Sequence, residues 1–80
     1  MRPEALLRRI RTDRHNLRFS DFIRLVQAFG FRFDRQDGSH RVYRHPCGAR
    51  LVLQERHGEA KPYQVAQFLE KVHERGLRMG

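Results

Sequence analysis

Eighty residues carrying 17 basic and 9 acidic side chains, a formal charge of +8, leave room for one small basic domain with a single core. No stretch approaches the roughly 18 apolar residues of a membrane span, and the arginine-broken start Met-Arg-Pro-Glu-Ala-Leu-Leu-Arg-Arg-Ile lacks the apolar core of a secretory signal. A soluble cytoplasmic protein is therefore expected, with no membrane partner, and the lone Cys47 excludes an internal disulfide and a cysteine-cluster zinc site.

In chain order, the first 17 residues read as a short helix. Pro3 suits an early helical position, Leu6, Leu7 and Ile10 share one face, and arginines at 8, 9, 11 and 14 cover the rest. Residues 1–18 are taken as an N-terminal extension, whose bland reading is a frayed terminus. A second helix is expected over about 20–29, with Ser20 as N-cap, Phe19 stapling onto the first turns, Phe22, Ile23, Val26 and Phe29 as the buried stripe, and Gly30 as terminator.

The period then changes to two. Phe31 to Gln36 alternates, and Asp37-Gly38 is a strong two-residue hairpin signal. Ser39 to His45 returns, and residues 50–54 form a third strand. With Asp37 and Gly38 as the loop, Arg35 lies opposite His40, Phe33 opposite Val42 and Phe31 opposite Arg44. Phe31, Phe33, Arg35, His40 and Val42 then form the helix-covered face; Arg32, Asp34, Gln36, Arg41 and Tyr43 form a solvated one. A one-residue slip would exchange the two. Pro62 starts a final helix whose apolar positions run to Gly76, leaving 77–80 as a tail. Helix, three antiparallel strands and helix make an α+β fold, one sheet with helices on one face.

Charge is concentrated early. Residues 1–56 hold 13 arginines against six acids, and 15 of the 17 basic residues are arginine. The guanidinium fork suits bidentate phosphate contact and stacking on bases, so a polyanionic partner is indicated. An arginine preference of the source genome is the bland alternative, and charge alone does not separate RNA from DNA or from an acidic protein.

Among the histidines, His15 and His73 read as ordinary surface or half-buried residues, and His45 and His57 as weaker candidates for substrate contact. His40 stands apart. It follows Asp-Gly-Ser at a tight turn, fixed by the hairpin yet near solvent. Arg35 across the ladder and Arg41 beside it create a positive field that suits a general base. RNA cleavage needs a deprotonated 2′-hydroxyl, a protonated leaving oxygen and a stabilised phosphorane. A histidine beside a guanidinium serves two of those needs with no metal or cofactor. The competing reading is a histidine that merely closes the hairpin end.

The run Phe19-Ser20-Asp21-Phe22 through Leu25, then Ala28-Phe29-Gly30-Phe31, then Arg35-Gln36-Asp37-Gly38-Ser39-His40, resembles the HicA family of toxin ribonucleases. Tyr43-Arg44-His45-Pro46 continues the match, and Leu51 to Gln54 with Ala60-Lys61-Pro62-Tyr63-Gln64-Val65 is similar to one branch of that family. The resemblance implies a double-stranded-RNA-binding-like α-β-β-β-α fold over 19–76, cleavage of mRNA, growth arrest, and inhibition by a HicB-like antitoxin. It places the family's catalytic histidine on His40. Ser39, Arg35, Arg41, Arg32, Arg44, Tyr43 and Lys61 complete the expected RNA- and phosphate-binding set. Many members carry a second histidine where this chain has Arg41, and a Val-Pro-x-His segment where it has Leu53-Gln54-Glu55. A non-catalytic RNA-binding module of the same fold is the alternative function.

Overall fold

The computed structural model describes residues 2–80. Its elements are α1 (Pro3–Thr12), α2 (Phe19–Ala28), β1 (Arg32–Asp37), β2 (His40–Arg44), β3 (Arg50–Leu53), β4 (Glu55–Arg56), β5 (Glu59–Ala60) and α3 (Pro62–Arg75). Strands β1, β2 and β3 form an antiparallel sheet in that order, and β4 and β5 a separate two-stranded one. The architecture is α+β, with the helix-strand-strand-strand-helix order of a double-stranded-RNA-binding-like fold and α1 preceding it.

The three helices share one core. Phe22, Leu25 and Val26 of α2 and Val65 and Phe68 of α3 are sealed from solvent, joined by Phe31, Leu51 and Leu53 from the sheet side. Phe68 is the hub, with Phe22, Phe29 and Phe31 set edge-on to its ring at centroid distances of 5.7, 5.4 and 6.2 Å. Such pairs add about 0.5–1.5 kcal/mol each beyond the area they bury.

Elements near both ends of the described residues are packed. Leu6, Leu7 and Ile10 are buried in the main cluster, so the apolar stripe of α1 docks onto the domain. At the other end Leu77 and Met79 lie against the core, and the Gly80 N–H donates to the Ala28 carbonyl at 3.0 Å. The expected N-cap of α2, Ser20, is displaced by two residues. Arg18 takes that position with extended backbone, Phe19 is already helical, and no side chain caps the end.

The hairpin register also differs from expectation, by one residue. Asp37 pairs with His40, Gln36 with Arg41 and Arg35 with Val42, so Gly38 and Ser39 are the loop. The reason is conformational. A loop of Asp37 and Gly38 needs positive φ at both, whereas here only Gly38 has it, at 59°. Glycine at the first central position is the II′ pattern. Between Phe33 and Arg35 the register shifts, leaving Asp34 as the extra residue of a bulge, so that Phe33 pairs with Tyr43 and Arg32 with Arg44.

The slip exchanges the faces of β2. Arg41 and Tyr43 now share a face with Leu53 and Leu51, their partners on β3, and that face meets the helices. Tyr43, expected on a solvated surface, is 3% exposed, while Phe33, expected in the core, is 51% exposed and touches Tyr43 edge-on. His40, Val42 and Arg44 alternate onto the opposite face with Val52 and Arg50. Among the described residues, no helix is long and apolar enough to cross a membrane.

Candidate active site

His40 is the first residue of β2 and is exposed at the tip of the sheet. Its cross-strand neighbour is Asp37, not Arg35, so the purely positive surrounding expected from the shifted register is absent. The turn before it is held by Gln36, whose Nε2 donates to the Gly38 carbonyl at 2.9 Å.

Beside that turn runs a chain of polar side chains. The Lys61 ammonium donates to Gln54 Oε1 at 2.6 Å, and Gln54 Nε2 donates to Ser39 Oγ at 2.7 Å. Three elements meet here. Ser39 comes from the β1–β2 loop, Gln54 from the residue after β3, and Lys61 from the N-cap of α3. Gln64, the buried polar side chain of the core, accepts the Gln54 backbone N–H at 2.9 Å and so ties the first turn of α3 to the end of β3. The structure thus links Ser39, the neighbour of His40 in the turn, to Lys61 through the Gln54 side chain.

The arginines are distributed differently. Arg35 pairs with Asp34 at 3.1 Å and Asp37 at 3.6 Å, and Arg44 with Asp34 at 2.9 Å. Hydrogen bonding from Arg44 holds the Asp34 carboxyl below its ordinary value. Arg32 is exposed on β1, paired across the ladder with Arg44. Arg41 lies on the helix-covered side against Phe19, and the Tyr43 ring is in the core, so neither shares a face with His40.

The remaining histidines have local roles. His45 Nδ1 accepts the Cys47 N–H at 3.0 Å, which leaves Nε2 to donate to the Phe29 carbonyl, also at 3.0 Å. This ring fastens the end of α2 to the β2–β3 turn. His57 occupies the β4–β5 turn at φ 52°, and His15 bonds Asp13 at 3.1 Å on the surface. Among the described residues, no three histidine, cysteine or acidic side chains cluster as metal ligands.

Gln54 and Gln64 were not singled out by sequence reasoning as site residues. Their roles depend on where three elements meet, and no spacing rule announces that. The β4–β5 hairpin was not among the expected strands, although His57-Gly58 is a two-residue turn with both φ values positive.

No curated protein and no solved structure matches the chain. A family model described as "HicA toxin of bacterial toxin-antitoxin" matches residues 19–73. That span runs from the first residue of α2 into the last turn of α3 and includes the Gly38-Ser39-His40 turn. The chain belongs to the HicA family and is the toxin of a bacterial toxin–antitoxin system.

Proposed function

We propose that this toxin is an endoribonuclease that cleaves mRNA in the cytoplasm, with His40 as general acid/base and no metal requirement, and that a HicB-like antitoxin holds it inactive. One observation carries the reading: an exposed histidine at the end of a glycine-built turn, next to a serine whose hydroxyl is linked through Gln54 to the Lys61 ammonium. In phosphodiester cleavage the 2′-oxygen attacks phosphorus as its proton leaves, and the 5′-oxygen departs as it gains one. An imidazole supplies either transfer near neutral pH. Charge that builds on the non-bridging oxygens is met by Ser39 and Lys61. Arg32, Arg44 and Arg35 track the flanking backbone from the open face of the sheet and its edge.

Inducible expression of the wild type and His40→Ala in a bacterial host tests this, with growth and mRNA integrity as readouts. Growth arrest and fragmented mRNA are expected from the wild type only. Purified His40→Ala should lose about 10²–10⁴-fold in cleavage while melting at the same temperature, because the ring is exposed and contributes nothing to the core. Intact mRNA from soluble wild-type protein would instead support a non-catalytic RNA-binding module.

A further inference from the structure

The Lys61–Gln54–Ser39 chain has a direction. An ammonium only donates, so the Gln54 oxygen must face Lys61 and its NH₂ must face Ser39. The same logic fixes the next amide. The Gln54 backbone N–H only donates, so the Gln64 oxygen faces it, and Gln64 Nε2 is left for the Tyr63 hydroxyl at 3.2 Å. Gln54 is thus held at its side chain by Lys61 and at its backbone by a residue only 4% exposed. Because Ser39 Oγ accepts from Gln54, its own hydrogen is left free for a ligand. The positive charge of Lys61, acting through the amide, strengthens that hydroxyl as a donor.

We propose that Gln54 is a positioning residue that sets the polarity of Ser39. With Gln54 in place, the Ser39 hydroxyl donates to a non-bridging oxygen of an RNA phosphate seated at the Gly38–His40 turn. That this phosphate is the scissile one rests on the ribonuclease reading above. Lys61 acts twice, as a charge near the phosphate and as the group that orients the amide.

Gln54→Glu tests the polarity directly. Glutamate has nearly the same shape and keeps Lys61 as an ion-pair partner, but it has no donor. The Ser39 hydroxyl then turns inward to donate to it and is lost to the phosphate. A merely structural role would survive this change; an orienting role would not. The added negative charge also repels RNA on its own, so the measurement is a double-mutant cycle with Ser39→Ala. Wild type, Ser39→Ala, Gln54→Glu and the double variant are compared for kcat and KM on a single-stranded RNA. The same cycle in a His40→Ala background is read as Kd for that RNA by fluorescence anisotropy.

Gln54→Glu is expected to leave the melting temperature unchanged and to lower kcat by about tenfold or more, the size of one charge-assisted donor. In the Ser39→Ala background the same substitution should cost about threefold or less, only its charge effect remaining. Equal losses in both backgrounds, or an unchanged kcat in Gln54→Glu, would overturn the proposal. If the wild type cleaves nothing yet the binding cycle is coupled, the phosphate clamp stands and the ribonuclease reading falls. If the wild type cleaves and both cycles are additive, the reverse holds.

Discussion

The guanidinium of Arg41 lies over the ring of Phe19, its Cζ 5.1 Å from the ring centroid. This contact joins β2 to the first residue of α2 and commits Arg41 to the helix-covered side of the sheet. Arg41→Ala should therefore act on stability more than on RNA. The expected loss is about 0.5–1 kcal/mol from the cation–π contact, with a further share from the aliphatic stem. Thermal unfolding reads the first effect and anisotropy with RNA the second. An affinity loss larger than that of Arg32→Ala, with no change in melting, would show that Arg41 swings out to the ligand.

Gly30 is the most constrained glycine. Its φ is +96°, and a Cβ built there would lie 3.0 Å from His45 Nε2. Gly30→Ala adds backbone strain and pushes against the ring that bonds Phe29 and Cys47. A loss of about 1–3 kcal/mol is expected, which in a domain of this size lowers the melting temperature by roughly 4–8 °C per kcal/mol. His45→Ala should be destabilising for a related reason, since it orphans the Phe29 carbonyl and the Cys47 N–H. An unchanged melting temperature for both variants would contradict this account of the β2–β3 turn.

The docking of α1 can be tested in the full chain by Ile10→Ala. Ile10 is fully buried in the common core, so the substitution should cost about 2–5 kcal/mol through lost contacts and a residual cavity. A loss of only a few tenths of a kcal/mol would mean that α1 contributes little to the folded state. Circular dichroism during denaturant unfolding measures the difference.

Asp34 gives the pH-dependent prediction. Arg44 lowers its carboxyl below the unfolded value of about 3.9. Stability from this pairing is then present above about pH 4 and is lost as pH falls through the lowered folded value. The melting-temperature gap between wild type and Asp34→Asn should close across that window and stay constant from pH 5 to 7. The same variant releases Arg44 from its carboxylate, while Arg35 keeps Asp37. RNA affinity should rise a few-fold, and the salt slope should steepen by about one ion.

Helices α2 and α3 were readable because Phe22, Val26, Val65 and Phe68 recur at helical spacing and are all buried. The family was readable from an ordered run of motifs, which does not depend on exact pairing. The register was not. Asp37-Gly38 announces a turn, but which two residues form the loop is decided by φ at Gly38 and by the burial of Tyr43 against the helices. The bulge at Asp34 left no local trace either. The slip moved Arg35 away from His40 and turned Arg41 and Tyr43 inward, and the bulge set Phe33 opposite Tyr43. The Ser39–Gln54–Lys61 chain spans 15 and 7 residues and exists only in the observed register, so no linear pattern contained it.

The bulge has a consequence at the rim of the sheet. β1 is an edge strand whose six residues are all exposed, a template that invites pairing with other chains. Asp34 interrupts it after Arg32 and Phe33, so an incoming strand meets a kinked ladder carrying Arg32, Arg35 and Asp37. A second copy of the toxin would find neither a straight run of amides nor a neutral surface. The irregularity that seats one carboxylate between two arginines also acts as a guard against polymerisation.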